Sequence, residues 1–279
     1  MLGRMLMAAV PSIPRVAMVP PSLDEALRSI LVEGAGWTLH EEVVMRHDPH
    51  LTLSPFKLSP WRLPYKKLLF LDSDMVVMPN GGVLLRRLLD LPLRSFALVA
   101  QPEHPWSDES TRACFNSGLM LLKPSNSTGM ALEEAAQHLR PPRCKSGDGR
   151  AGLIERSDQG PLNEVFAGLW TDLRRIPGGK RFLPIYDLMF PWKPFPSLCR
   201  QAVVTDQALG AVADIVHMYG GTSPSRAGGC RKCMPPTPSW ANPNCTALRV
   251  TLASVWWRAF DAMPRNVRSA CSKALDGET

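Results

Sequence analysis

Residues 66–78 read K-K-L-L-F-L-D-S-D-M-V-V-M. Four apolar residues, Leu68, Leu69, Phe70 and Leu71, run into Asp72-Ser73-Asp74. A second apolar run then ends at the turn Pro79-Asn80-Gly81-Gly82. A continuous apolar run bounded by turn residues predicts a buried strand of an α/β sheet. The aspartates then fall at or just past its C-terminal end, the edge where open α/β sheets bind ligands. Two carboxylates at i, i+2 behind a buried strand are costly unless something neutralises them, because buried charges are paired or bind metal. Oxygen ligands of this kind suit Mg²⁺ or Mn²⁺, and such a cation mostly serves to hold a phosphate. The same residues also read as a solvated Asp-Ser-Asp turn holding no ligand.

The surrounding composition is that of a globular chain. It has 279 residues, 45% hydrophobic and 20% charged, enough for a sizeable core in one large α/β domain or one domain with a tail. The net charge of +7 and pI of about 9.2 suit an anionic ligand such as a sugar nucleotide, and equally a basic surface with no specific partner. No Lys/Arg block has interleaved aromatics, which argues against nucleic acid. No apolar run is long enough to span a membrane. Residues 1–10 are apolar but short, with Pro11 and Pro14 close behind, a poor signal peptide.

Seven cysteines, four of them crowded after residue 229, accompany two N-glycosylation sequons, Asn126-Ser127-Thr128 and Asn244-Cys245-Thr246. Both features lean toward an oxidising secretory or Golgi lumen, with the cytoplasm as the alternative. A targeting segment for the lumen is expected to be missing from this chain. Cys230, Cys233, Cys245 and Cys271 read as disulfide partners in a lumen and as free thiols otherwise. Four thiolates suffice for zinc, but this spacing follows no zinc pattern.

The chain opens strand, helix, strand, at 15–19, 23–31 and 37–45, the alternation of a parallel-sheet protein. Ser22 with Glu25 reads as a capping box, and Gly34 as the stop. Further helices are expected at 82–90, 128–139, 158–169 (capped by Ser157, with Pro161 in its first turn) and 249–263. Strands are expected at 96–100, 182–185 and 214–217. Cys114-Phe115-Asn116-Ser117-Gly118 reads as a polar turn ahead of a second buried strand ending at 123. Residues 47–60, 101–113 and 141–152 read as loops. No internal repeat is visible.

Four stations thus line up at strand ends or helix starts: Asp72-Ser73-Asp74, Phe115-Asn116-Ser117-Gly118, Asp158-Gln159-Gly160 with Asn163, and His217-Met218-Tyr219-Gly220. Lys57, Trp61, Leu63 and Tyr65 precede the first. In this order the set resembles the glycogenin-like glycosyltransferases, family 8 of the GT-A fold, over residues 15–220. The resemblance implies a Rossmann-like α/β fold with a mixed, mostly parallel sheet flanked by helices. Residues 1–221 would be the catalytic domain, N-terminally truncated because the family's first strand is absent, and 222–279 a Cys/Pro-rich extension.

It also implies chemistry. Asp72, Asp74 and His217 would bind Mn²⁺ or Mg²⁺, and Lys57, Ser73, Ser117, Gly118 and Gly220 would contact a UDP-sugar donor. Asn116, Asp158 and Gln159 would hold the sugar and acceptor for retaining transfer of a hexose. The acceptor would be an unidentified glycan, protein, lipid or inositol compound. This sequence departs from the family at Ser223-Pro224-Ser225, where Lys-Pro-Trp is common, and at Glu155, where the extra acid is shorter. The lead-in is also one residue shorter between Leu63 and Tyr65. Two other readings stand beside it. One is a catalytically inactive, glycosyltransferase-like binding protein. The other is a haloacid-dehalogenase-type phosphatase, with Asp72 as nucleophile and Asp74 as acid/base, which leaves the other three stations unexplained.

Overall fold

The computed structural model describes residues 2–42, 55–103, 114–138, 158–184, 206–218 and part of 251–262. Its organising element is β6 (Phe115–Leu122), buried throughout. It lies between β3 (Leu68–Leu71) and β5 (Leu98–Pro102), antiparallel to both, and β7 (Trp170–Asp172) adds in parallel beyond β5. Side chains on a strand alternate between faces, and here the alternation sorts two cores. Leu69, Leu71, Val99, Leu119 and Leu121 enter the larger one. Leu68, Phe70, Leu98, Ala100, Met120 and Leu122 enter the smaller.

A sheet covered on both faces has to be apolar on both, which is why 68–71 and 119–122 read as unbroken apolar runs. The expectation that 68–71 is a fully buried strand needs correction. Among the described residues β3 pairs only with β6, which puts it at the edge of that sheet, and it is half-buried.

The larger core is closed by a second sheet, β4 (Met75–Val77), β9 (Ile215–His217) and β8 (Phe182–Pro184), in the order β4-β9-β8. Into it pack α1 (Leu2–Ala9), α3 (Gly81–Asp90) and α6 (Asp206–Val212). Leu2, Met5, Leu6 and Val10 are buried there, so the apolar start of the chain is a core helix. Gly3 permits the docking: a Cβ at this position would stand 2.4 Å from Trp37 Nε1 and 2.5 Å from the Ala35 carbonyl oxygen. In the 249–263 segment, Thr251, Ser254, Val255, Arg258, Ala259 and Asp261 are helical. Val255 joins the larger core, and Arg4 donates to the Ala262 carbonyl at 2.7 Å.

The smaller core lies under α4 (Asn126–His138) and α5 (Gln159–Val165). Trp61, 1% exposed, packs on Phe166 with ring centroids 5.6 Å apart, a packing role. Asn163 ties α5 to the sheet: it accepts from Phe115 N–H at 2.8 Å and donates to Phe115 C=O at 2.9 Å. Phe115 faces Pro102 on β5, and proline has no N–H to offer the ladder. Asn163→Ala is therefore expected to leave the Phe115 N–H without its partner and cost about 1–3 kcal/mol, measurable as a lower urea midpoint.

β1 (Val16–Val19) and β2 (Thr38–Glu41) pair in parallel, joined by α2 (Glu25–Ser29) and a π-helical turn, Ile30–Gly34. Asp24, not Ser22, caps α2, accepting from the N–H groups of Ala26 and Leu27. A turn closed from Leu23 N–H to Pro20 C=O keeps Ser22 and Leu23 outside the helix.

Other boundaries move by a few residues. Gln101 and Pro102, read as loop, finish β5, while Phe96 precedes it. Asn116-Ser117-Gly118, read as a turn, lies within β6. The register against β5 shifts there, from Ala100 opposite Met120 to Gln101 opposite Asn116. α5 spans Gln159–Val165, shorter than 158–169, with Asp158 at its N-cap. Ser157, Glu155, Tyr219, Gly220, Ser223 and the other six cysteines lie outside the described residues. The sheets are mixed as expected. The described pairings, however, divide evenly, with β1–β2, β5–β7 and β8–β9 parallel and β3–β6, β5–β6 and β4–β9 antiparallel.

Candidate metal and donor site

Three residues carry the chain from one sheet to the other. β3 ends at Leu71, β4 begins at Met75, and Asp72-Ser73-Asp74 make the crossing. Asp72 N–H donates to Gly118 C=O at 2.8 Å, extending the pairing with β6 by one step. Asp74 C=O accepts from Met218 N–H at 2.9 Å, and Met75 lies opposite His217 in the β4–β9 register. The crossing therefore sets both carboxylates against His217.

His217 is 3% exposed. Its Nε2 stands 3.2 Å from Asp74 Oδ1 and 3.6 Å from Asp72 Oδ2. One ligand atom from each residue lies within 4.8 Å of the others. Asp74 Oδ1 is buried and has no hydrogen-bond donor among the described residues. Buried acceptors are normally satisfied, and this one faces the imidazole and carboxylate that a cation would share. The residues fit a divalent ion with mixed nitrogen and oxygen ligands, of which Mn²⁺ is typical. Ser73, between the two carboxylates, is exposed.

Lys57 also meets Asp72. Its Nζ donates to Asp72 Oδ2 at 2.8 Å and Ser117 Oγ at 3.1 Å, and stands 3.4 Å from Asp158 Oδ2. Ser117 Oγ donates to the same Asp158 oxygen. Asp158 thus sends its side chain across to β6 and Lys57 and makes no side-chain cap on α5. Burial works against the Lys57 ammonium, but Asp158 and Asp72 outweigh it and hold its pKa above the ordinary value. One ammonium thus meets two carboxylates, Asp72 and Asp158. Lys57→Ala removes the group that pairs with Asp72 and Asp158. Breaking a pair this buried is expected to cost about 3 kcal/mol, read from urea unfolding of the metal-free protein.

Burial pushes the Asp72 carboxyl up, with Lys57 and His217 offsetting only part of that. Folded Asp72 therefore holds a proton more tightly than it does in the unfolded chain. Its contribution to stability is fully present below its unfolded value, near 3.8. That contribution is lost as pH rises toward the raised folded value. A cation held by Asp72 would have to displace that proton, so Mn²⁺ affinity is expected to fall as pH is lowered through the same window. Mn²⁺ should raise the melting temperature at neutral pH and do so less in acid, a comparison that thermal unfolding across pH makes directly.

Gly118 is required by the arrangement. A Cβ there would lie 2.4 Å from His217 Cε1, 2.7 Å from His217 Nδ1 and 2.9 Å from Asn116 Oδ1. The irregular register at this point lets Asn116 Oδ1 accept from Gly118 N–H at 2.8 Å, the local bond typical of asparagine. Asn116 Nδ2 donates to Glu103 Oε2 at 3.1 Å. Gln159, with its amide turned so that nitrogen faces acceptors, donates to Glu103 Oε2 at 2.7 Å and Phe115 C=O at 2.8 Å.

Asn116, Ser117, Gly118, Asp158 and Gln159 therefore converge with Lys57 and the aspartates, and Gly220 falls outside the described residues. Tyr65 is exposed, away from the burial that Trp61 and Leu63 share. Glu103 was missed by sequence reasoning. It was read as part of an irregular stretch, and its only signal was a carboxylate just past a buried strand, the feature that singled out Asp72.

Two mixed sheets with a carboxylate–imidazole cluster at the crossing between them give a fold shared with solved glycosyltransferases. Structural comparison finds the apo form of the glycosyltransferase GlyE from Streptococcus pneumoniae TIGR4, with a TM-score of 0.50 and 15% identity, over 98% of this chain and 61% of that one. In sequence the chain is 29% identical to human Glycogenin-2 over 72% of its length and 26% identical to mouse Glycogenin-1 over 88%. It spans 33% of the former and 66% of the latter. No family model matches. In sequence the chain is thus similar to glycogenins, and its fold is similar to that of a solved glycosyltransferase. Among the described residues, no helix is long and apolar enough to cross a membrane.

Proposed function

We propose that the chain is a metal-dependent, retaining glycosyltransferase that moves a hexose or related sugar from a UDP-sugar to a hydroxyl-bearing acceptor. The observation that carries this reading is the cluster of Asp72, Asp74 and His217, in which the buried Asp74 Oδ1 has no hydrogen-bond donor among the described residues. These three would hold Mn²⁺ or Mg²⁺, which when bound stabilises the charge growing on the departing diphosphate. The chain's own residues do the rest. Lys57 keeps Asp72 and Asp158 from repelling each other and holds them at fixed positions. Gly118 gives His217 room to face the aspartates. Asn116 and Gln159, both anchored on Glu103, present amides suited to sugar hydroxyls, and the buried Asp158 lies one hydrogen bond behind Ser117.

We take residues 1–221 as the catalytic unit and 222–279 as an extension that Val255 ties to its core. Calorimetric titration of UDP with and without Mn²⁺ tests the site: binding only with Mn²⁺ supports the reading, and metal-independent or absent binding removes it. A screen of UDP-sugars for donor hydrolysis then separates an enzyme from an inactive binding protein, and the anomeric form released reports retention. We place the protein in the secretory lumen, because buried Cys114 is disulfide-bonded and disulfides persist in oxidising compartments.

A further inference from the structure

Asn126 is the first residue of α4 and is exposed, as is Ser127. Asparagine at a helix start usually serves as the N-cap, which would account for it structurally. Here that role belongs to Ser125, whose Oγ accepts from Thr128 N–H at 3.5 Å and whose C=O accepts from Gly129 N–H at 2.9 Å. Ser125 is itself anchored, donating its N–H to Trp61 C=O at 2.9 Å. The Asn126 amide makes no side-chain hydrogen bond among the described residues, and the helix does not need it. What remains is a solvent-facing amide in the sequence Asn126-Ser127-Thr128, with no proline at the middle position and a threonine hydroxyl two residues on. The disulfide at Cys114, at the head of the strand that leads into α4, independently indicates an oxidising compartment.

We propose that Asn126 is an N-glycosylation acceptor. In the transfer, Asn126 Nδ2 bonds to the anomeric carbon of an oligosaccharide carried on a polyprenyl diphosphate. The bond from that carbon to the diphosphate oxygen breaks, the diphosphate leaves with the electron pair, and the amide gives up one proton. The fold accommodates the product. Asn116 and Leu122 lie toward opposite ends of β6, roughly 20 Å apart along an extended strand, and α4 starts beyond Leu122, at Asn126. A glycan on α4 therefore stands clear of the cluster around Asp72.

The test expresses the full chain behind a cleavable secretory leader in eukaryotic cells, with the variants Asn126→Gln and Thr128→Ala. Peptide mass spectrometry follows, after amidase release of glycans in heavy-oxygen water. The expected result is a labelled aspartate at position 126 in the parent, absent from both variants, and loss of one glycan's mobility shift in each. Any modification at Asn244 is counted on its own peptide. Unmodified Asn126 in luminal protein whose Cys114 disulfide is intact overturns the proposal. Both variants are expected to keep the parent's Mn²⁺-dependent UDP binding, so this outcome is separate from the fate of the donor site.

Discussion

Asp74→Asn is expected to abolish Mn²⁺-dependent UDP binding and to lower sugar transfer by about 10²–10³-fold. Asp74 Oδ1 is a buried oxygen without a hydrogen-bond donor among the described residues, 3.2 Å from His217 Nε2. The amide keeps the shape of the carboxylate but removes the charge that pays for a cation's dehydration. Its NH₂ group can also rotate toward His217 and occupy the place a cation would take. The metal-free variant should be at least as stable as the parent, since one of three clustered carboxylates is gone. Calorimetry of Mn²⁺ and of UDP, with thermal unfolding of the metal-free proteins, checks both halves. Retained Mn²⁺-dependent binding in the variant would remove Asp74 from the ligand set and leave the Asp-Ser-Asp crossing as structure only.

Gly118→Ala should produce a loss nearly as large without touching a ligand. The added methyl would sit 2.4 Å from the His217 ring and 2.9 Å from Asn116 Oδ1, closer than atoms pack. His217 is buried on β9, 3% exposed. Its ring must turn or β6 must move away from the crossing, and either change spoils the cluster. Overpacking of this kind costs about 1–3 kcal/mol, and Mn²⁺ affinity should fall about 10–100-fold. Circular dichroism like the parent's, with weakened Mn²⁺ binding, is the expected pair of results. Unchanged Mn²⁺ affinity would show that His217 takes no part in the site.

The two variants separate what was readable in the chain from what was not. Asp72 and Asp74 were legible because charge interrupts an apolar run, and that pattern survives any local change in boundary. The apolar runs themselves were legible because both faces of the β3-β6-β5-β7 sheet are covered. The edge position of β3 was not, since an edge and a central strand share the same apolar pattern and differ only in their neighbours. Nor was the placement of Asn116-Ser117-Gly118 inside β6. Turn-forming residues dominate that tripeptide, and only the irregular pairing with β5 explains how a strand holds it. Asp24 displaced Ser22 as a cap for a similar reason, because the Pro20-closed turn decides which residue enters the helix first.

By itself, the sequence determined the α/β class, the order of the stations and the kinds of side chain that a phosphate-holding cation needs. Tertiary structure alone decided that Asp74 and His217, far apart in the chain, stand within 3.2 Å of each other. It alone decided that Lys57 bridges Asp72 and Asp158, and that Glu103 gathers Asn116 and Gln159. The physical reason is that composition and spacing act through local propensity and burial, which repeat along one strand or helix. Which strand lies opposite which, in what register, is set by the simultaneous packing of two cores. A shift of one residue in the β4–β9 register would turn His217 to the other face of its sheet.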